Sequence, residues 1–304
     1  MEELSRILTQ SAEELIAPTT AAFVLAAIGL NLHFGYTGLL NMGQAGFMLL
    51  GAYGFAISTI AGAPIYLAVI VALVASILFA LILGMPTLKL RGDYLAIVTI
   101  AAAEIVRMLG RSSGLAEWTG GQAGLRGNEF KETFAALSPL PDGTTAIGPF
   151  EHLNNGSDSW WVRIVGWSLV ALALVVVWLL TRSPWGRLLK GVREDEDAVR
   201  ALGKNVYAIK MQALVLGGVF GSLGGVLYVL PRAVQPDGMA RSMTFFVWIV
   251  LLLGGAATLF GPVLGSMLFW AVFMLLRAGM REGLADSLSP ARWRPSVASL
   301  WVWP

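Results

Sequence analysis

Thr181-Arg-Ser-Pro-Trp-Gly-Arg-Leu-Leu-Lys-Gly-Val-Arg-Glu-Asp-Glu-Asp-Ala-Val-Arg-Ala-Leu-Gly203 is a polar cassette set between two long apolar runs, residues 160 to 181 and 206 to 230. Bilayer hydrocarbon about 30 Å thick needs about 20 mostly apolar residues per crossing, and each flanking run has that length. The cassette therefore reads as a loop between membrane spans. Working outward, six further runs of this kind lie at about 17 to 33, 38 to 60, 64 to 85, 94 to 110, 243 to 259 and 262 to 280. The expected fold is an all-α, polytopic transmembrane bundle of about eight spans. Gly and polar residues interrupt the second and the last two, so broken or re-entrant segments are expected there. Residues 1 to 280 form the membrane domain, with a long loop at 111 to 159, the cassette loop at 182 to 205, and a polar stretch from 281 to 304.

Composition agrees: 56% of the 304 residues are hydrophobic and 13% charged, against roughly 25% charged in soluble domains. The net charge of +2 comes from Lys and Arg scattered through short loops, which argues for topology and against nucleic acid. There is no Cys and only His33 and His152, so thiol chemistry is excluded and a metal or acid–base enzyme is disfavoured. The first 16 residues hold Arg6 against Glu2, Glu3, Glu13 and Glu14, the wrong charge for a secretory signal peptide.

Positive charge marks the cytoplasmic loops. Arg182, Arg187, Lys190, Arg193, Arg200 and Lys204 place the cassette inside, and Lys89 with Arg91, two spans earlier, falls on the same side. The acidic loop 111 to 159 is then external, as is the acidic N-terminus. Counting eight spans also puts Arg281, Arg292 and Arg294 outside, against the charge rule.

Four groups of residues could carry function. Asn31-Leu-His-Phe-Gly-Tyr-Thr-Gly-Leu-Leu-Asn-Met-Gly-Gln44 is dense in Gly and polar groups. Asn31, Asn41 and Gln44 there either line a pathway or belong to tight small-residue packing. Glu104 and Arg107 are three apart on one helix face and ionisable inside a span. They are candidate solute contacts, or a pair that neutralises itself. Gly120-Gly-Gln-Ala-Gly-Leu-Arg-Gly127 lacks the strand and the Gly-Lys-Ser/Thr ending of a phosphate loop. It is an external element that contacts a partner, gates an opening or simply connects. In the cassette, Arg193 to Gly203 can form one short amphipathic helix, with Ala198, Ala201 and Leu202 as its apolar face and Gly203 as its stop. Such a helix fits a groove on a partner or lies among lipid headgroups. The acidic run Glu194, Asp195, Glu196, Asp197 suits an anionic leaflet poorly and favours the partner.

Five stretches together resemble the LivM-type permease subunit of bacterial branched-chain amino-acid ABC importers. They are Gly35 to Gln44, Leu90 to Thr99, Thr119 to Leu125, the cassette through Gly203, and Leu253-Gly-Gly-Ala-Ala-Thr-Leu-Phe-Gly-Pro-Val-Leu-Gly265. The resemblance covers about residues 17 to 280. Asp197-Ala-Val-Arg-Ala-Leu-Gly203 is similar to the importer "EAA" loop, with Asp and Val replacing two of its usual letters. The resemblance implies a coupling helix seated in an ATPase subunit, alternating access, and no chemistry on this chain. ATP and Mg would belong to two cytoplasmic ATPase subunits. A second homologous permease and an external solute-binding protein complete the implied assembly in a bacterial inner membrane. Urea or short amides are the alternative solutes, and a passive channel or scaffold without an ATPase is the alternative class. The family's usual final apolar span has no counterpart in 281 to 304, so that stretch is expected to be a truncation or an interfacial segment.

Overall fold

The computed structural model describes residues 2–89, 92–147, 150–156 and 158–287. Leu90 and Arg91 of the fourth-span motif, and Arg292 and Arg294 of the polar stretch, lie outside the described residues. The chain is a helical bundle, as expected. Its centre is α2 (Pro18–Leu30) and α11 (Val206–Val229), which pack along each other. Every residue of α2 is buried, which fits a helix apolar on all sides. Around this pair stand α3 (Gln44–Ile60), α4 (Ile65–Thr87), α8 (Trp160–Arg182), α12 (Arg241–Gly254) and α13 (Gly261–Ser287). The outer helices turn Tyr66, Ile70, Ile82, Leu172, Leu179, Leu268 and Leu276 outward, an apolar girdle suited to lipid or a partner in the membrane. An N-terminal helix, α1 (Glu2–Leu15), lies against α13.

Each expected apolar run is largely helical, but among the described residues six helical stretches are long and apolar enough to cross a bilayer: 18–36, 65–87, 160–182, 206–229, 237–254 and 261–278. Two runs depart from the expected eight. The second does not start as a helix at 38. Residues 38–43 are irregular, with Gly38 at φ +76°, and α3 begins only at Gln44, leaving 17 helical residues. The fourth, α5 (Gly92–Arg111), carries Glu104, Arg107 and Arg111. The polar stretch placed from 281 onward begins inside α13, which runs to Ser287.

A seam of glycine on α11 closes the centre. A Cβ at Gly217 would collide with the Gly29 carbonyl and the His33 ring, and one at Gly225 with the Met48 carbonyl. These positions let backbones meet where the membrane supplies no hydrophobic drive between helices.

Loop 111–159 folds into a lobe. It contains α6 (Ala116–Thr119), α7 (Asn128–Ala135) and a small antiparallel hairpin, β1 (Thr144–Ile147) on β2 (Phe150–Leu153). The all-α reading missed that hairpin. Trp160 Nε1 donates to the Thr145 carbonyl at 2.8 Å and Trp161 Nε1 to that of Phe134 at 3.2 Å, seating the lobe on the start of α8.

Candidate functional site

The cassette forms two helices, the first starting at Pro184, and the break between them falls inside the stretch Arg193 to Gly203 that was expected to be one helix. α9 (Pro184–Glu194) starts at a Ser183 cap and ends before Asp195, whose backbone is extended. Asp195 Oδ1 then accepts from Asp197 N at 2.9 Å and Ala198 N at 3.0 Å, opening α10 (Glu196–Ala201). An acidic cap at the positive end of a helix is the favourable placement, and it explains why the expected single helix from Arg193 breaks there. Gly203, at φ +73°, terminates α10 in the left-handed conformation that glycine adopts freely. Val199 faces inward and is buried, whereas Ala198, Asp197 and Arg200 are exposed and Leu202 is 77% exposed. Glu196 pairs with Lys210 of α11, and Arg200 with Asp197 at 2.5 Å. Glu194 is exposed beside Arg193. The cassette thus presents a small apolar and charged surface, anchored from beneath by Val199.

Asn31, Asn41 and Gln44 are buried in the core and bonded to protein groups. α2 continues as a π-helical turn over Asn31–Tyr36 before the chain reverses. His33, fully buried, contacts the Leu214 carbonyl through Nε2 at 3.0 Å and the Asn41 amide through Nδ1 at 3.0 Å. Since a carbonyl can only accept, Nε2 carries the proton and Nδ1 accepts from Asn41. Asn41 also donates to Gln44 Oε1 at 3.0 Å and accepts from Gly43 N at 2.8 Å. Gln44 Nε2 donates to the carbonyls of Ala26, at 3.1 Å, and Gly217, at 3.4 Å. Thr99 and Thr244 satisfy the backbone N–H groups of Met42 and Ala45, and Trp248 Nε1 donates to the Asn41 carbonyl at 3.1 Å. Asn31 Oδ1 accepts from Ala257 N and its Nδ2 donates to the Thr258 carbonyl, both at 2.8 Å. A broken helix is tolerated in a membrane only where its freed groups find such partners.

The Glu104–Arg107 group is charged and only partly buried. Arg107 clamps Glu104 with two bonds, 3.1 Å through Nε and 2.5 Å through Nη2. It also binds Asp237, which takes Arg111 at 3.2 Å, and Arg241 Nε lies 3.8 Å from Glu104. The self-neutralising pair expected within one helix is therefore part of a five-charge cluster joining α5 to the loop before α12. Asp237 and Arg241 were missed because they are more than 125 residues away in sequence; their signal is two charges just after Pro236 at the edge of an apolar run. With Met42, Ala45 and Thr244 the cluster walls a crevice of about 10 Å³, room for roughly one water. That mouth is shut.

The glycine-rich Thr119 to Leu125 stretch is a structured element and not a solvated connector. Leu125 and Val234 exchange backbone hydrogen bonds at 2.9 and 3.0 Å, tying the lobe to the same loop that bears Asp237.

The model of the family described as branched-chain amino acid transport system / permease component matches residues 14–293. A high-affinity branched-chain amino acid transport system permease protein LivM from Salmonella typhimurium is 33% identical over 86% of this chain and 63% of its own length. A probable branched-chain amino acid transport permease protein LivM from Methanocaldococcus jannaschii is 26% identical over 84% of this chain and 78% of its length. An autoinducer 2 import system permease protein LsrC from Photorhabdus laumondii is 29% identical over 52% of this chain and 48% of its length. The chain spans less than two thirds of the length of the Salmonella relative.

Proposed function

The chain belongs to the family of branched-chain amino acid transport system permease components, and on that premise we propose that it is a membrane permease subunit of an ATP-binding-cassette importer. It moves branched-chain amino acids across a bacterial inner membrane by alternating access and performs no covalent chemistry. ATP and Mg belong to two partner ATPases on the side of α10, a second permease shares the pathway, and a solute-binding protein delivers solute to the lobe built from 111–159. One observation carries the reading: a capped helix, anchored by Val199, holds Leu202 and Ala198 clear of the protein. A partner groove removes that apolar surface from water.

Solute enters at the Glu104–Arg107 cluster. A zwitterionic amino acid meets both signs of charge there, its carboxylate near Arg107 or Arg241 and its ammonium near Glu104. Asn41 and Gln44 shape the wall behind that mouth through Met42 and Ala45. Membership alone leaves the solute open, since LsrC relatives are named for autoinducer 2 import, so leucine is tested beside urea.

Co-purification in detergent with candidate ATPase subunits tests the proposal. Wild type should capture an ATPase; Leu202→Glu with Ala198→Trp should lose at least 90% of the capture while keeping its own thermal midpoint. Capture by neither chain favours a passive channel, and capture by both moves the contact away from α10. Binding-protein-dependent uptake of leucine but not urea into proteoliposomes would support the solute class.

A further inference from the structure

Two arginines of the cassette, one turn and a break apart, point in opposite directions. Arg200 pairs with Asp197 on the exposed face of α10. Arg193, at the end of α9, lies beside Glu194 with its Nε 3.5 Å from that carboxylate, and its Nη1 reaches the bundle and donates to the Gly35 carbonyl at 2.5 Å. That carbonyl lies within the π-helical turn Asn31–Tyr36. Leu39 N, which a continuing helix would offer to Gly35, bonds the His33 carbonyl at 2.8 Å instead. Among the described residues no backbone N–H reaches the Gly35 carbonyl, so the guanidinium supplies the missing donor, and charge-assisted bonds of this kind are the strong ones. The arginine stem also lies along Gly38, where a Cβ would stand 3.2 Å from Arg193 Cγ.

The contact continues on both sides. Toward the surface, Val199 of α10 packs on Gly191 of α9, where a Cβ would stand 3.1 Å from the valine methyl. Toward the core, a Cβ at Gly35 would fall on Asn31 Oδ1 and Ala257 N, and Asn31 holds Ala257 and Thr258 by two bonds of 2.8 Å. Ala257 has φ +63°, an uncommon conformation for a residue with a side chain, in the loop 255–260 that joins α12 to α13. A connected series of packed and hydrogen-bonded groups thus leads from the exposed helix to the broken segment of α2 and the α12–α13 loop.

We infer that Arg193 is a positioning residue for coupling: it ties the displacement of α10 to the Asn31–Tyr36 turn, so that a motion of the partner at the surface reaches the broken helix. This rests on the reading of α10 as the ATPase-contacting helix. Arg193 reaches the bundle through its bond to Gly35, while its side chain stays 41% exposed beside Glu194.

The test uses the whole complex of both permeases, both ATPases and the solute-binding protein in proteoliposomes, with radiolabelled leucine and ATP hydrolysis measured together. Arg193→Met keeps the stem and removes the donor. It should assemble in wild-type yield and hydrolyse ATP within about twofold of wild type, while leucine imported per ATP falls about tenfold or more. Arg193→Lys, which can still donate, should recover at least half of the ratio. A ratio in Arg193→Met within twofold of wild type, or no recovery by Arg193→Lys, overturns the inference. If Arg193→Met does not assemble, Arg193→Gln carries the same criteria; failure of both to assemble makes the residue a folding element and also overturns it. A wild-type chain that captures no ATPase defeats the importer reading and this inference with it, whereas normal wild-type import with an unaltered variant ratio defeats the inference alone.

Discussion

The knot around Asn41 and the cluster around Arg107 are both polar islands in an apolar bundle, and they resolve their polarity in opposite ways. In the knot, neutral side chains are wholly buried and each donor meets an acceptor across α2, α3, α11 and α12. In the cluster, five formal charges are unevenly exposed, Asp237 and Arg241 at least half and Arg107 only 13%. A satisfied neutral network rigidifies and specifies packing; exposed ion pairs hold little energy and exchange partners cheaply. The knot is therefore suited to hold the broken helix, and the cluster to open.

The sharpest way to break this comparison is Asn41→Leu. It leaves His33 Nδ1, Gln44 Oε1 and Gly43 N without their partner in a place water does not reach. Each stranded buried group costs about 1–3 kcal/mol, so a loss of at least about 3 kcal/mol is expected, visible as a large fall in the thermal midpoint of the detergent-solubilised chain. An unchanged midpoint would mean the knot does not hold the fold, and Asn41 would return to the list of solute contacts.

Much of the fold was legible because the signals are local. Apolar length marks spans, Gly203 marks a helix end, and the Gly-rich run at 35 to 43 marks a break. The site was less legible because its partners are distant. Nothing near Glu104 announces Asp237 or Arg241, and nothing near Arg193 announces Gly35. Asn41 and Gln44 look like pathway residues in sequence because polarity in a span is costly wherever it occurs; whether that polarity faces solute or protein is decided by what α11 and α12 bring to it. The break at Asp195 was missed because the helix-favouring run across it hides a residue that caps better than it continues.

Glu104→Gln probes the other member of the comparison. The pair it weakens is partly exposed, so the midpoint should move by less than about 1 kcal/mol in stability. Leucine uptake by the assembled complex should fall about tenfold, the weight of one charged hydrogen bond of about 1.5 kcal/mol. Uptake at the wild-type rate would reduce the cluster to a tie between α5 and the loop before α12, and both islands would then be structural.

Glu14, at the end of α1, lies between the two cases and gives the smallest effect. Burial, and then the neighbouring Asp158, hold its carboxyl above the ordinary glutamate range, with Arg232 and Arg163 opposing. Below that range the folded and unfolded chains both bind the proton and the side chain contributes no difference. As pH rises the unfolded chain releases its proton first, so stability falls until the folded carboxyl ionises too and is constant above that point. Glu14→Gln, which mimics the protonated form, should match wild type at pH 4 and exceed its midpoint by roughly one to two degrees at pH 7.5. Equal differences at the two pH values would show that the burial of this carboxyl has no energetic consequence. A wild type more stable at pH 7.5 would show that Arg163 and Arg232 outweigh it, placing Glu14 with the charge cluster's exchangeable pairs and not with the buried groups of the knot.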